Sequence, residues 1–179
     1  FDRTVFKEAD NKQHCGAELG MDPKETNFLF VGNIIREKGV TELVQAFNKV
    51  SESIPGQSAL YCVGSTKDTN FTSKVKELAK GNTDIHFIEP MPQTELARYF
   101  QSADVFVLPS YIEGLGLVAL EAMSCGTPVI ASDVGGLHYM LADGAGVLVP
   151  AKDEILLQLA LENAVKEGMQ VNESRVNEL

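Results

Sequence analysis

The chain has 179 residues, of which 44% are hydrophobic and 22% are charged, and this balance excludes general disorder. That length is enough for one domain with a full hydrophobic core. The formal net charge of −10 argues against nucleic acid or an anionic membrane surface as a partner of the whole domain, although it is compatible with a local basic pocket for phosphate.

Short apolar runs alternate with helical patterns along the chain. Six of these runs are typical of buried strands: Phe28–Val31, Leu60–Val63, Ile85–Ile88, Val105–Leu108, Pro128–Ala131 and Gly146–Val149. The helices predicted between and after them are Val40–Val50, Phe71–Lys80, Thr94–Ser102, Leu117–Ser124, Leu137–Leu141 and Asp153–Lys166. Leu117–Ser124 is nearly all apolar, so we expect it to be packed on both sides. Asp153 is the expected N-cap of the last helix.

The alternation of strands and helices indicates parallel pairing with right-handed crossovers. Because the strands are apolar on both faces, helices should cover both sides of the sheet. We therefore predict an α/β fold, a doubly wound Rossmann-like parallel sheet of about six strands with the common order 3-2-1-4-5-6. The first two dozen residues and the tail after Gly168 are weakly patterned and are interpreted as the edges of a single domain, 1–179.

Cysteine usage and the lack of targeting segments bear on location. Cys15, Cys62 and Cys125 are odd in number, lie far apart and have no metal-ligand spacing, which favours a reducing compartment. Cys62 falls in a predicted strand and Cys125 in an apolar run, so both are expected in the core. No stretch is typical of a signal peptide or a membrane span, although the chain opens at Phe1. We expect a cytoplasmic protein that could contact a membrane face only through a part preceding this chain.

Two glycine-containing loops follow predicted strands one and four, and they are written GNIIREKG (Gly32–Gly39) and PSYIEGLG (Pro109–Gly116). Ligands of open parallel sheets bind where the strand order reverses, so these loops should face each other across one crevice. Arg36 and Lys38 of the first loop could neutralise a phosphate, or could simply be solvated cations. Gly114 and Gly116 would let backbone N–H groups approach a ligand, although a tight turn also explains them.

Glu121 is the single charge in the apolar run LGLVALEAMSCGTPVIAS, and Glu113 precedes it by eight residues. Burying a carboxylate costs several kcal/mol unless a hydrogen-bonding partner is present. Glu121 therefore needs a partner. A loop carboxylate, glycines and a helix with a second carboxylate together indicate a site for a polyhydroxylated, phosphorylated ligand.

Other classes of site were weighed against this interpretation. Gly114, Gly116 and Ala119 satisfy the dinucleotide pattern G-x-G-x-x-G/A, and Asp133 follows at a strand end. Against it, five residues separate the strand from Gly114, and the match falls on the fourth strand instead of the first. The three histidines are scattered without metal-ligand spacing. A receiver-type signalling domain is disfavoured because strand three ends without a phosphorylatable aspartate.

Several longer motifs occur in order: FLFVGNIIREKG, then ADVFVLPSYIEGLGLVALEAMSCGTPVIASDVGG, then GVLVPAKD. The most specific element is Glu113–Glu121, which matches an E-x7-E motif with internal glycines and a trailing G-x-P-V. On these motifs the chain resembles the C-terminal, donor-binding domain of retaining glycosyltransferases with the GT-B fold, specifically family 4. The resemblance runs through nearly the whole chain, from FDRTVF, the end of that family's interdomain linker.

The resemblance implies a role for each matching position. Glu121 would accept hydrogen bonds from the ribose hydroxyls, Glu113 would contact the donor sugar, and Lys38 would neutralise the diphosphate leaving group. Backbone N–H groups from Gly114 to Val118 would face the sugar and diphosphate, and main chain from Ile88 to Met91 would hold the base. Glu113 and Lys38 are thus the implied catalytic residues. The implied donor-binding set is Gly32, Asn33, Arg36, Lys38, Ile88, Glu89, Met91, Glu113, Gly114, Leu115, Gly116, Leu117, Val118 and Glu121.

The resemblance also implies a reaction, and the sequence departs from the family's pattern at one position. The reaction is hexosyl transfer with retention, from a UDP- or GDP-sugar, without a metal or any other cofactor. An N-terminal domain, which nothing in these residues matches, would hold the glycan, lipid or small-molecule acceptor. The departure is Asn33, which stands where the family usually has arginine. Two alternatives therefore stay open: a sugar-nucleotide epimerase of the same two-lobed architecture, and a nucleotide-sugar-binding domain without activity.

Overall fold

A computed structural model describes residues 2–9, 11–172 and 174 of the chain. Its six strands are β1 (Thr26–Val31), β2 (Ser58–Val63), β3 (Ile85–Ile88), β4 (Val105–Leu108), β5 (Val129–Ser132) and β6 (Val147–Val149). All neighbouring strands pair in parallel, in the order β3-β2-β1-β4-β5-β6. The predicted fold class and strand order are confirmed.

Helices cover both faces of this sheet. They are α1 (Lys12–Glu18), α2 (Val40–Ser53), α3 (Thr69–Leu78), α4 (Gln93–Ser102), α5 (Leu117–Ser124), α6 (Gly136–Met140) and α7 (Glu154–Glu167), with short 3-10 helices at Arg36–Lys38 and Ala142–Gly144. Successive residues of a strand point to opposite faces. Accordingly, Phe28 and Phe30 pack with α2, α3 and α7, whereas Leu29 packs with α4, α5 and α6. The four central strands, β2, β1, β4 and β5, are buried on both sides, as a doubly wound sheet requires, whereas the edge strands β3 and β6 are partly exposed.

One helix was not predicted, and one expectation about a helix is wrong. The weakly patterned N-terminal region contains α1, and its Phe6 and Met21 are only 1% and 3% exposed. The helix α5 is not packed on both sides, because Leu117 is 52% exposed and only Ala119, Ala122 and Met123 are buried. One side of α5 therefore faces away from the core and is available to line a site.

The reversal of strand order lies between β1 and β4, which pair directly through Phe28 with Val105 and Leu29 with Phe106. The loops that follow these strands consequently leave the same edge of the sheet side by side. None of the described helices is both long and apolar enough to span a bilayer.

Candidate functional site

A cleft with a volume of about 630 Å³ opens at the carboxyl ends of β1 to β4. Nine of the predicted site residues line it: Gly32, Asn33, Lys38, Met91, Glu113, Leu115, Gly116, Leu117 and Val118. These residues come from the two loops predicted to face each other and from the segment after β3. The predicted juxtaposition of the loops is confirmed.

An ion pair joins the two loops at this cleft. The ammonium of Lys38 lies 2.8 Å from Oε2 of Glu113, and the hydroxyl of Ser110 donates to the same oxygen at 3.3 Å. The side chains of Lys38 and Glu113 are 26% and 16% exposed, so solvent screens the pair only in part. Glu113 retains Oε1 as a further acceptor, because neither of these bonds uses it.

Close backbone approaches hold the loops together, and two glycines make them possible. Gly39 has φ 67°, and an added Cβ there would lie 2.8 Å from the carbonyl carbon of Pro109 and closer still to its oxygen. At Gly64, after β2, an added Cβ would lie 2.7 Å from the carbonyl carbon of Gly32. The loops after β1, β2 and β4 thus pack main chain against main chain.

The helix α5 begins at the floor of the cleft. Its N-cap is Gly116, with φ 67°, and no described side chain caps its first turn. Leu117 and Val118 line the cleft at this end. The first backbone N–H groups of a helix lack partners within the helix and carry a positive partial charge, so this end of α5 is suited to binding an anion.

Glu121 lies one helical turn beyond Leu117 and Val118 and does not itself line the cleft. It is half-buried, and burial raises the pKa of its carboxyl above the usual 4.5. Among the described residues, none donates a hydrogen bond to it. The expected need for a partner is thus real, although the burial is less complete than the apolar sequence around Glu121 predicts.

Four other predicted residues do not line the cleft. Arg36 is exposed, and its guanidinium lies near the phenol of Tyr111. The carbonyl of Ile88 accepts from the N–H of Gly64 at 3.0 Å, and Glu89 is exposed, whereas the adjacent Pro90 does line the cleft. Gly114 is exposed, and its carbonyl accepts from the N–H of Gly136 at 2.7 Å.

The cleft also has lining residues that sequence reasoning missed, among them Gly64 and Ser65 after β2. The available signal was the rule already used for β1 and β4, because the carboxyl end of β2 reaches the same edge of the sheet. In the described part of the chain, no three His, Cys, Asp or Glu side chains are grouped so that they could hold a metal ion.

Comparison with known proteins decides the family. Residues 13–177 match the family described as glycosyl transferases group 1. The chain belongs to this family. It is a C-terminal domain of the GT-B type, with the six-stranded parallel sheet of that fold.

One curated relative and two solved structures support this assignment to the family and fold. The chain is 39% identical over 157 residues to alpha-maltose-1-phosphate synthase from Mycobacterium tuberculosis, covering 83% of this chain and 40% of that protein. The C-terminal domain of LpcC, a glycosyl transferase group 1 protein from Francisella tularensis, superposes with a TM-score of 0.86 at 24% identity, covering 99% and 97% of the two chains. Anabaena HepE in complex with UDP-glucose superposes with a TM-score of 0.86 at 18% identity, covering 99% of this chain and 50% of HepE. This group 1 chain therefore spans about 40% of the length of the first curated relatives it matches.

Proposed function

We propose that this chain is the donor-binding domain of a retaining, metal-independent glycosyltransferase of family 4. It would transfer a hexosyl group from a UDP- or GDP-sugar to a glycan, lipid or small-molecule acceptor held by an N-terminal domain. The observation that carries the proposal is the Lys38–Glu113 ion pair beside the uncapped first turn of α5. A cation, a carboxylate and free backbone N–H groups meet in one cleft, as a sugar diphosphate requires.

The diphosphate is placed between Lys38 and the N-terminus of α5. Both carry positive charge where negative charge grows on the leaving group, and such fixed charges stabilise a transition state without reorganising. In this proposal Lys38 and the helix dipole take the part that a divalent cation plays in other transferases. The complex of HepE with UDP-glucose supports a diphosphate sugar as the ligand, since that protein shares this fold.

Donor binding exchanges the partners of the ion pair. Lys38 binds Oε2 of Glu113 at 2.8 Å, and a diphosphate would offer Lys38 two more negative groups. Once Lys38 turns to the phosphate, Oε1 of Glu113 and the lone pair of Oε2 that Lys38 has left can accept hydrogen bonds from sugar hydroxyls. Ser110 still donates to Glu113 and keeps it at the cleft. The same pair thus serves the leaving group and the sugar.

Glu121 is assigned to the ribose. Its carboxylate is half-buried and has no hydrogen-bond donor among the described residues, and the two ribose hydroxyls would supply donors. Such bonds offset the desolvation of the carboxylate, which otherwise costs free energy. The segment from Ile88 to Met91 is assigned to the base, and Met91 and the intervening Pro90 line the cleft there.

Asn33 is expected to weaken binding of the diphosphate, and it supports the alternative of a nucleotide-sugar-binding domain without transferase activity. It lines the cleft but is neutral, and Arg36 lies toward Tyr111 instead of replacing the missing charge. We expect the 179-residue chain to bind a nucleoside diphosphate weakly and not to turn over a sugar nucleotide by itself, since the acceptor is assigned to another domain. The chain spans about 40% of the length of curated relatives, which is consistent with a further domain in the working enzyme.

Isothermal calorimetry of the chain with UDP, GDP and ADP tests the proposal. We expect the wild type to release heat on binding UDP or GDP. Lys38→Ala and Glu121→Ala should each lower the affinity about tenfold or more, because each removes a charge-assisted hydrogen bond. Lys74→Ala should leave the affinity unchanged. Lys74 is exposed on α3, outside the cleft, so that variant controls for the loss of one positive charge. No heat with any of the three nucleotides would overturn the proposal.

A further inference from the structure

Tyr111, in the loop that carries Glu113, lies near Arg36 and makes three further contacts outside its own loop. Its hydroxyl donates to Oε1 of Glu42 at 2.5 Å. Its backbone N–H donates to the carbonyl of Glu37 at 2.8 Å. The ammonium of Lys152 lies 4.8 Å from the centre of its ring, within the range of a cation–π contact.

These contacts tie the loop to three different elements. Glu42 lies in the first turn of α2, Glu37 lies in the 3-10 helix that also contains Lys38, and Lys152 follows β6. Lys152 adopts φ 65°, a conformation that residues other than glycine rarely take, so its surroundings hold it there. The ring of Tyr111 is therefore fixed from above by Lys152 and at its edge by Glu42.

The position of Tyr111 in the chain connects it to both members of the ion pair. Glu113 follows it by two residues, and Lys38 is the neighbour of Glu37, whose carbonyl accepts the Tyr111 N–H. A movement of Tyr111 would thus shift Glu113 relative to Lys38. Two of the groups assigned to the nucleotide, the first turn of α5 and Glu121, have no contact with Tyr111 among those of the described residues. The third, Lys38, is linked to Tyr111 only through the backbone N–H that donates to Glu37, and a change confined to the phenol leaves that bond in place.

We propose that Tyr111 is a positioning residue for donor-sugar recognition: through Glu42 and Glu37 it holds Glu113 where the sugar hydroxyls of the donor must bind. This inference rests on the proposed function and deepens it, because it assigns selectivity for the sugar, as opposed to the nucleotide, to a residue outside the cleft.

The phenol of Tyr111 keeps its proton for the hydrogen bond to Glu42 at neutral pH. Burial raises the pKa of Tyr111 to about 12, the Glu42 carboxylate adds to the rise, and Arg36 opposes it. The phenol is therefore protonated and able to donate at neutral pH. Oε2 of Glu42 is buried and has no hydrogen-bond partner among the described residues, so removing the phenol would leave both oxygens of that carboxylate without a donor from this part of the chain.

The test compares Tyr111→Phe with the wild type for binding of nucleotides and sugar nucleotides. Calorimetry is run with UDP and GDP and with UDP-glucose, UDP-galactose, UDP-N-acetylglucosamine and GDP-mannose. The sugar nucleotide that gains most over its parent nucleotide in the wild type is then measured on the variant. We expect nucleotide affinity within about twofold of wild type and a loss of about tenfold in the sugar-dependent gain, since one hydrogen bond to a charged group is removed.

Two further variants separate positioning from general damage. Tyr139→Phe removes a hydroxyl from a tyrosine that is 76% exposed on α6, and it should leave both affinities unchanged. Glu42→Gln keeps an acceptor for the phenol and should retain most of the sugar-dependent gain. In the double variant Tyr111→Phe with Glu42→Gln, the losses should be less than additive, as expected for residues that act through one contact.

Each outcome decides something. A Tyr111→Phe variant that keeps the full sugar-dependent gain, or a wild type in which no sugar nucleotide differs from its parent nucleotide, overturns the inference and leaves nucleotide binding intact. A wild type that binds none of the six compounds overturns the proposed function and the inference together. Hydrogen exchange adds a measurement that needs no ligand. The amides of residues 111–114 should exchange faster in Tyr111→Phe than in the wild type, and at the wild-type rate in Tyr139→Phe.

Discussion

Replacing Gly39 by alanine should damage stability and nucleotide binding together, because this glycine lets the two loops of the cleft meet. Two costs add at this position. Holding alanine at φ 67° costs about 1–2 kcal/mol. The new Cβ would also lie 2.8 Å from the carbonyl carbon of Pro109, and forcing main chain apart in a packed region costs about 1–3 kcal/mol more.

Gly56 provides a matched control for the first cost. It has φ 68°, close to that of Gly39, but an added Cβ there meets nothing within 4 Å. Gly56→Ala should therefore show only the backbone cost. The difference between the two variants isolates the contact with Pro109, which we expect to be about 2 kcal/mol and to lower the Tm of Gly39→Ala by roughly 4–8 °C relative to Gly56→Ala.

Urea denaturation and calorimetry of both variants measure the two effects. Lys38 precedes Gly39, and Pro109 leads into the loop of Glu113, so Gly39→Ala should also weaken UDP or GDP binding while Gly56→Ala should not. Equal stabilities of the two variants would refute the idea that this close approach holds the loops. A Gly39→Ala variant that is destabilised but binds nucleotide normally would refute the link between the approach and the site.

Three further predictions concern charges at the cleft. Burial raises the pKa of Glu121 above 4.5, so folding favours the protonated form, and the stability of the wild type falls as the pH rises through the raised pKa. Glu121→Gln carries no ionisable group at this position and should therefore have a higher Tm than the wild type at pH 7. Melting curves should show this difference in Tm closing as the pH falls toward 4.5. Ribose hydroxyls should prefer the ionised carboxylate, so in calorimetry the affinity for UDP should increase with pH across the same window in the wild type and not in Glu121→Gln. Asn33→Arg should raise UDP affinity by about fivefold at low salt by restoring a second cation, an effect that titration at higher salt should reduce; no gain would show that Asn33 is not near the diphosphate.

The sheet and the facing loops could be predicted because general rules determine them. Apolar runs at regular spacing give parallel strands, and the reversal between β1 and β4 follows from the common strand order. The loops that contain Lys38 and Glu113 could therefore be predicted to lie close together. Their ion pair joins residues 75 positions apart, yet both lie just past paired strands. Topology alone was sufficient to place the two loops side by side, whereas the ion pair itself was not predicted.

Other features depend on individual side-chain contacts that no periodicity records. The position of Arg36 is one, since it lies near the phenol of Tyr111 and not in the cleft. The start of β1 is another: polar Asn27 belongs to the strand because its N–H and amide donate to the carboxylate of Asp104 and to nearby carbonyls. The half-exposure of Glu121 is a third, because an apolar sequence shows how much surface α5 could bury and not how much it does.

The arrangement of these ties also explains why the site should be rigid before a ligand arrives. The close approach of Gly39 to Pro109, the bond from Tyr111 to Glu37 and the pairing of Lys38 with Glu113 all link the same two loops. Each link spans about 70 residues of chain, and the pairing of β1 with β4 already brings the two loops together, so each link shares the ordering of the backbone fixed by the sheet. A donor entering such a cleft need order little protein, and its binding energy remains available for the diphosphate and the sugar.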